Sequence, residues 1–411
     1  MRVLFLTHRL PYAPNRGDRI RAYYTLEALK AAGAQVELVS LTHNAEEASH
    51  VPELSRIADK VHAIAVPRLR NWLSGTLRLP TQVPLTHALL DAPGVKPALR
   101  RIVADRPPDA VLAYCSGMAR FAVEPPLAGL PLIIDLVDVD SLKWRDLSGT
   151  SRPPLAWVYR REATYLARFE ARAARLAFAT TVVNERERDV LASLVPDARI
   201  DVVPSGVNVE HWQPIDEPPP SADVVFCGVM NYTPNVDAAV WMARDVWPLV
   251  RARRADARLK LVGSEPTARV QALHDPSRGI EVTGHVPDVR PYLWLGAVSA
   301  APLHTARGIQ NKVLEAVAAG LPAVVTPVVA EGLPREILPA CEVASSAASF
   351  ADAVVRALAR SPAERRRAAA QADLRPLSWS ARLAPLVDLL LAAVEKTPPR
   401  RSARPDADRR A

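Results

Sequence analysis

Long apolar runs are missing from this sequence of 411 residues. A bilayer-spanning helix needs about 20 consecutive apolar residues. The best candidate, residues 383–394, is short and interrupted by Asp388. The first apolar run, Val3–Leu6, is too brief for the core of a secretory leader, so none is expected. Cysteine is scarce too: Cys115, Cys227 and Cys341 lie far apart, with no Cys-x-x-Cys pair. That spacing excludes a disulfide framework and a zinc site, and it fits a reducing cytoplasm. The sequence has no P-loop, no His-Glu-x-x-His and no Gly-x-Ser-x-Gly, which removes the commonest NTPase and hydrolase readings. Repeats of 20–50 residues are also absent, which argues against a solenoid.

What is present is the composition of a folded protein. Apolar residues make up 49% and charged residues 23%, and the length points to two compact domains. The formal net charge is +8, of which the last sixteen residues contribute a net +4. This Pro/Arg-rich end, 396–411, reads as a disordered basic tail that would touch anionic membrane if it touches anything. The body has no basic stripe interleaved with aromatics, so nucleic acid is not an expected partner.

Short β-branched strands alternate with amphipathic stretches along the whole chain. Expected strands are 3–7, 36–41, 61–66, 110–114, 132–135 and 180–183, then 224–227, 259–262, 280–283, 298–301 and 323–326. Expected helices include 19–32, 155–177, 235–251, 311–319 and 377–394. Strands separated by helices imply parallel sheets covered on both faces. The Pro-rich segment QPIDEPPPSA (213–222) is the clearest linker signal. The expected architecture is α/β, with two Rossmann-like domains facing a cleft: residues 1–205, residues 206–376, and a crossover helix at 377–395.

Four runs carry chemistry. In GIQNKVLEAVAAGLPAVVTP (308–327), Glu315 is the one ionisable residue between Val313 and Val325. A carboxylate in so apolar a helix is costly unless it is partnered. The backbone N–H groups at the helix start (Ile309, Gln310, Asn311) and the helix dipole suit a phosphate, and Glu315 one turn further in suits ribose hydroxyls. The competing reading is a surface ion pair of Glu315 with Lys312 at i,i+3. In FCGVMNYTPN (226–235), Gly228 permits close backbone approach, and Asn231, Tyr232 and Asn235 offer neutral hydrogen-bonding groups at a strand end; an ordinary turn with Asn caps reads equally well. In HRLPYAPNRGDRIRAYY (8–24), a single glycine excludes the dinucleotide fingerprint, and with it NAD or FAD. Gly17 with Arg16, Arg19 and Arg21 makes either an anion-approach loop or a surface loop with solvated arginines. DLVDVDSLKW (135–144) places Asp135, Asp138 and Asp140 where they would contact a metal or acceptor hydroxyls. His8 and His304 fall at strand ends.

Five stretches together resemble the bacterial family 4 glycosyltransferases, whose fold is GT-B, and among them the sugar transferases of exosortase/PEP-CTERM exopolysaccharide systems. They are LPYAPNRGDRIRAYYTLEAL (10–29), DLVDVDSLKW (135–144), VVPSGVN (202–208), GVMNYTPNVDA (228–238) and GIQNKVLEAVAAGLP (308–322). The resemblance implies transfer of a sugar, with a retaining outcome, from a nucleotide-sugar donor on the C-terminal domain to a glycan or lipid-linked acceptor on the N-terminal one. No further cofactor and no obligatory metal are implied, because such enzymes usually meet the leaving diphosphate with helix dipole and cations. Glu315 matches the second glutamate of the family's paired motif, and Gly308 stands where the first would fall. Arg307 and Lys312 are the cations nearest the expected diphosphate, and Glu315, Lys312 and Arg307 are the expected catalytic set. Gly228, Asn231, Tyr232, Asn235, Gly308, Ile309, Gln310, Asn311 and Glu315 are expected around the donor. Arg16, Gly17, Asp138 and Asp140 are expected around the acceptor. Nucleotide-sugar epimerisation and non-catalytic binding on the same fold are the alternatives. The expected location is the cytoplasm, at the inner face of the cell membrane.

Overall fold

The structure, a computed structural model, describes residues 1–13, 17–306 and 309–397. It divides into two units, one comprising Met1–Ser205 with the chain from Arg382 onward, the other Gly206–Ala381.

The first unit holds a parallel sheet of seven strands: β1 Arg2–Thr7, β2 Gln35–Thr42, β3 Lys60–Ala65, β4 Ala110–Tyr114, β5 Leu132–Val137, β6 Ala179–Val182 and β7 Ile200–Val202. Its order is β3-β2-β1-β4-β5-β6-β7. The helices that matter below are α1 Gly17–Ala31, α2 Arg68–Leu77, α3 Ser116–Ala122, α4 Asp140–Thr150 and α5 Leu155–Leu176. Strands β1, β2 and β4 are almost wholly buried, as a sheet covered on both faces requires.

The second unit has six parallel strands, β8 Asp223–Cys227, β9 Arg258–Val262, β10 Ile280–Gly284, β11 Val298–Ala301, β12 Ala323–Val325 and β13 Cys341–Val343, in the order β10-β9-β8-β11-β12-β13. Helix α6, Thr233–Trp241, follows β8, and α7, Asn311–Ala318, follows β11. The core is built around Phe226, Trp247 and Phe350, and the Trp247 indole N–H reaches the Arg278 carbonyl at 2.8 Å. The last helix, α8 Trp379–Lys396, begins in the second unit and continues in the first. It buries Leu383, Leu386, Leu390 and Ala393 along one face.

Four sequence readings are refined or corrected. The helix expected over 235–251 runs without a gap from Thr233 to Arg251, but not as one α-helix: α6 passes into a π-helical turn, Met242–Val246, and then a short α-helix, Trp247–Arg251. Pro248 has no N–H to give the ladder, so the chain widens ahead of it. The 213–222 segment is not a free linker, because it is fastened to the second unit. Its carbonyls at Gln213, Asp216 and Ser221 accept hydrogen bonds from Trp294 (2.9 Å), Arg366 (2.6 Å) and Arg365 (2.7 Å). Strands β7 and β13, three residues each at sheet edges, were not anticipated. Lys396, taken as the start of the tail, closes α8. The remainder of that expected tail, 398–411, lies outside the described residues.

Candidate functional site

In each sheet the strand order reverses direction between the first and fourth strands, β1 and β4 in one, β8 and β11 in the other. Ligands of open α/β sheets bind beyond the carboxyl ends of strands at such a point. In the second unit the chain that emerges there is 228–232 after β8 and 302–306 after β11, with 309–310 ahead of α7, which brings together the two runs 226–235 and 308–327 singled out above.

The loop after β8 is drawn tight by glycine. A Cβ on Gly228 would lie 2.8 Å from Asn235 Nδ2 and 3.2 Å from Lys312 Nζ. A Cβ on Gly263, at the end of β9 with φ of +152°, would fall 1.7 Å from the Gly228 carbonyl oxygen. Only glycine fits both positions. Asn235, buried in the first turns of α6, donates its amide to the Val229 carbonyl at 2.9 Å and accepts the Lys312 ammonium at 2.6 Å. Lys312 also sits over the Phe226 ring, 4.9 Å from its centroid. One asparagine thus ties the β8 loop to the first turn of α7.

Lys312 has lost much of its water, which lowers its pKa to about 8 despite the Cys227 and Glu315 charges acting the other way. Burial likewise pushes the Glu315 carboxyl up to about 7, against the pull of Lys312. The Cys227 thiol, at the end of β8, is pushed up to about 12 by burial and then by Glu315. Among the described residues no hydrogen bond or ion pair within 4.0 Å reaches the Glu315 carboxylate. The ion pair on a solvated face therefore does not form, because Lys312 is spent on Asn235. A dehydrated carboxylate, a dehydrated ammonium and a helix N-terminus converge here, which is a chemistry suited to hydroxyl and phosphate groups.

The other expected donor residues are distributed around this centre. Asn231 turns away to hydrogen-bond Glu265, a residue of positive φ (54°) beyond β9. Tyr232 precedes α6 with its ring more than half exposed, and Ile309 packs on the hydrophobic core. Gln310 precedes α7, its carbonyl accepting the Val313 N–H at 2.9 Å, and Asn311 is the exposed first residue of that helix. Arg307 and Gly308 lie outside the described residues. His304 stands against Trp241, ring centroids 4.6 Å apart.

In the first unit the loop after β4 carries Cys115, at φ of 66°, whose N–H bonds the Asp135 carbonyl at 2.8 Å. Asp135 is not available to a metal or an acceptor, contrary to the sequence reading. It is wholly buried and takes a two-point ion pair from Arg21 of α1 (2.8 and 3.2 Å) and a hydroxyl from Thr181 (3.0 Å). Arg21 is likewise not free for an approaching anion, and Arg19 pairs with Glu47 at 2.9 Å. Val137, at φ of 68°, ends β5 after a register shift against β6, and Asp138 beyond it is exposed. Asp140 opens α4 and accepts the Ser116 hydroxyl at 2.7 Å, and burial raises its pKa. Two glutamates that sequence reasoning missed hold this turn. Glu187 accepts the Val139 N–H at 2.8 Å, and Glu170 accepts the Ser141 N–H (3.3 Å) and hydroxyl. Burial pushes Glu170 up to about 8. Both lie on amphipathic helices, where a charge normally signals a solvated face. His8 stacks on Tyr114 at 5.7 Å. Gly17 is the first residue of α1, and Arg16 lies outside the described residues.

The fold is that of an α/β protein of two Rossmann-like units with a strand-end site in each, and comparison with known proteins narrows the class. Residues 17–206 match the family model described as glycosyl transferase 4-like domain, and residues 221–360 match the one described as glycosyl transferases group 1. The chain belongs to the family 4 type of glycosyltransferases, and its two-domain α/β fold is GT-B. Solved structures agree in fold. Anabaena HepE, crystallised with UDP, is 12% identical with a TM-score of 0.61, over 95% of this chain and 100% of its own. Staphylococcus aureus TarM, in a complex that includes UDP, is 8% identical with a TM-score of 0.62, over 95% of this chain and 99% of its own. The α,α-trehalose-phosphate synthase of Burkholderia vietnamiensis is 14% identical with a TM-score of 0.60, over 96% of this chain and 100% of its own. No curated protein sequence matches the chain.

Proposed function

We propose that this glycosyltransferase takes its sugar from a nucleotide-sugar donor seated at the β8/β11 ends of the second unit. The acceptor is a glycan or lipid-linked glycan of an exopolysaccharide system of the exosortase/PEP-CTERM kind, the transfer is of a hexosyl-type residue with retention, and the work is done at the inner face of the cell membrane. The observation that carries the donor assignment is the convergence of Gly228, Asn235, Lys312 and Glu315. These residues come from one loop and two helices, and among the described residues Lys312 has only the Asn235 hydrogen bond and the Phe226 ring as partners, while the Glu315 carboxylate has no hydrogen bond or ion pair. Glu315 accepts hydrogen bonds from ribose hydroxyls. The ammonium of Lys312 and the first-turn N–H groups of Gln310 and Asn311 meet the diphosphate as negative charge grows on the leaving group, a stabilisation that needs no metal. The exopolysaccharide assignment is supported by the motif set, above all residues 10–29 and 135–144. The acceptor side is assigned to Gly17, Asp138 and Asp140.

The test is nucleotide release from a panel of UDP-, GDP- and ADP-sugars, with and without a polyprenyl-diphosphate glycan acceptor. Acceptor-dependent release supports transfer. Release together with an epimerised sugar and no acceptor identifies an epimerase, and binding without release identifies a non-catalytic module. In Lys312→Met the affinity for nucleoside diphosphate falls about tenfold or more, while affinity for the bare nucleoside falls less, since a hydrogen bond to a charged group contributes about 1.5–3 kcal/mol. Equal losses for both ligands would remove Lys312 from the diphosphate.

A further inference from the structure

Helix α2 is packed inside out. Its inward residues are Asn71, 1% exposed, and the buried Gly75. Asn71 fastens the helix by donating its amide to the carbonyls of Leu89 (2.9 Å) and Asp91 (2.6 Å). The outward residues are Leu69 (78% exposed), Trp72 (62%), Leu73 (52%) and Leu77 (78%). They recur at i, i+3, i+4 and i+8, the spacing of a single helical face, so one whole apolar face is turned to water. Scattered exposed leucines are ordinary, but a contiguous stripe opposite a buried asparagine needs an occupant.

The segment after α2 is bound to α5. The Arg161 guanidinium donates to the carbonyls of Leu79 (2.7 Å), Arg78 (3.0 Å), Thr81 and Val83 (3.0 Å), and Glu162 accepts the N–H groups of Leu85 (2.6 Å) and Thr86 (2.8 Å). On α5, just ahead of Arg161, Leu155 (47%) and Trp157 (58%) are exposed as well. Charge flanks both patches with one sign. Helix α2 holds no acidic residue. Arg68, Arg152 and Arg160 are exposed and make no ion pair among the described residues, and Arg70 is paired with Asp91 at 2.8 Å. A second copy of this chain would set arginine against arginine. An anionic bilayer meets every feature at once: leucines reach the acyl boundary, the two tryptophans suit the headgroup level, and arginines meet lipid phosphate. No helix among the described residues is long and apolar enough to cross a membrane, so the attachment is to one surface.

We infer that the face of α2, with the start of α5, docks the first unit on an anionic lipid surface. The docking depends on no assumption about donor or acceptor, so its failure and that of the glycosyl-transfer reading are separately visible.

The experiment is co-sedimentation of the full chain with vesicles of phosphatidylcholine, alone or mixed with phosphatidylglycerol. Wild type binds the mixed vesicles and releases as salt is raised. Trp72→Glu/Leu73→Glu lowers partitioning at least about tenfold, and Arg160→Gln lowers it about fivefold. Both variants keep the wild-type melting curve and nucleotide affinity, because all three side chains point to solvent. A chain ending at Thr397 retains most of the binding. Three results would each overturn the inference. One is unchanged partitioning in both variants, and another is binding abolished by removing 398–411 alone. The third is a wild-type dimer by light scattering that Trp72→Glu/Leu73→Glu converts to monomer without change in vesicle binding.

Discussion

Replacing Glu315 with glutamine should make the protein more stable and worse at holding its donor. The carboxyl is displaced from its ordinary 4.5 to about 7, first by burial, with Lys312 opposing. A displacement of that size corresponds to about 3 kcal/mol. Residual solvent contact at this half-buried side chain reduces the usable effect to about 1–3 kcal/mol. The sign follows from which state ionises first. Below pH 4.5 the group is protonated in both states and costs nothing. Between 4.5 and about 7 the unfolded chain ionises while the folded chain resists, so stability falls, and above 7 the loss is complete. Glu315→Gln has no such descent. It should match wild type at pH 4.5 and exceed it at pH 8, with a thermal midpoint higher by ~2–4 °C per kcal/mol gained. Isothermal titration with the nucleotide chosen by the donor panel should meanwhile show affinity reduced about 10- to 100-fold, since the amide is a weaker acceptor than the carboxylate. A variant that is less stable than wild type at pH 8 would show that the carboxylate has a stabilising partner, and the site as described would be wrong. An unchanged dissociation constant would remove Glu315 from the donor pocket.

Two further outcomes are expected elsewhere. Gly228→Ala should weaken nucleotide binding with about 1–3 kcal/mol of lost stability in urea titrations, as its Cβ displaces Asn235 and Lys312. Gly263→Ala should be worse, because its Cβ meets backbone 1.7 Å away rather than a movable side chain; equal costs would refute the close approach. In the first unit, Arg21→Met should cost about 3–5 kcal/mol by stranding the buried Asp135 carboxylate, and Arg21→Met/Asp135→Leu should recover much of it; a double variant no better than the single would show that the arginine acts by packing.

The sequence by itself determined the strand–helix alternation, the two parallel sheets and both strand-end loops of the second unit. Those features are written in short-range patterns: β-branched runs, a glycine after β8, and one carboxylate in an otherwise apolar helix. Glu315 was legible because its isolation is a local property. Tertiary structure alone decided which partners the charged groups take. Lys312 meets Asn235 across 77 residues and Arg21 meets Asp135 across 114, and no local pattern encodes contacts at that separation. For that reason Arg21 read only as a loop arginine, either meeting an anion or solvated, and Glu170, on a helix that the fold buries against Ser141, drew no reading at all. Helix α2 shows the same limit in reverse. Its periodicity marks an apolar face, but periodicity does not say whether that face turns inward. Asn71 settles it, because its amide finds the Leu89 and Asp91 carbonyls only once residues 68–91 have folded back, and those bonds hold the leucines and Trp72 toward solvent.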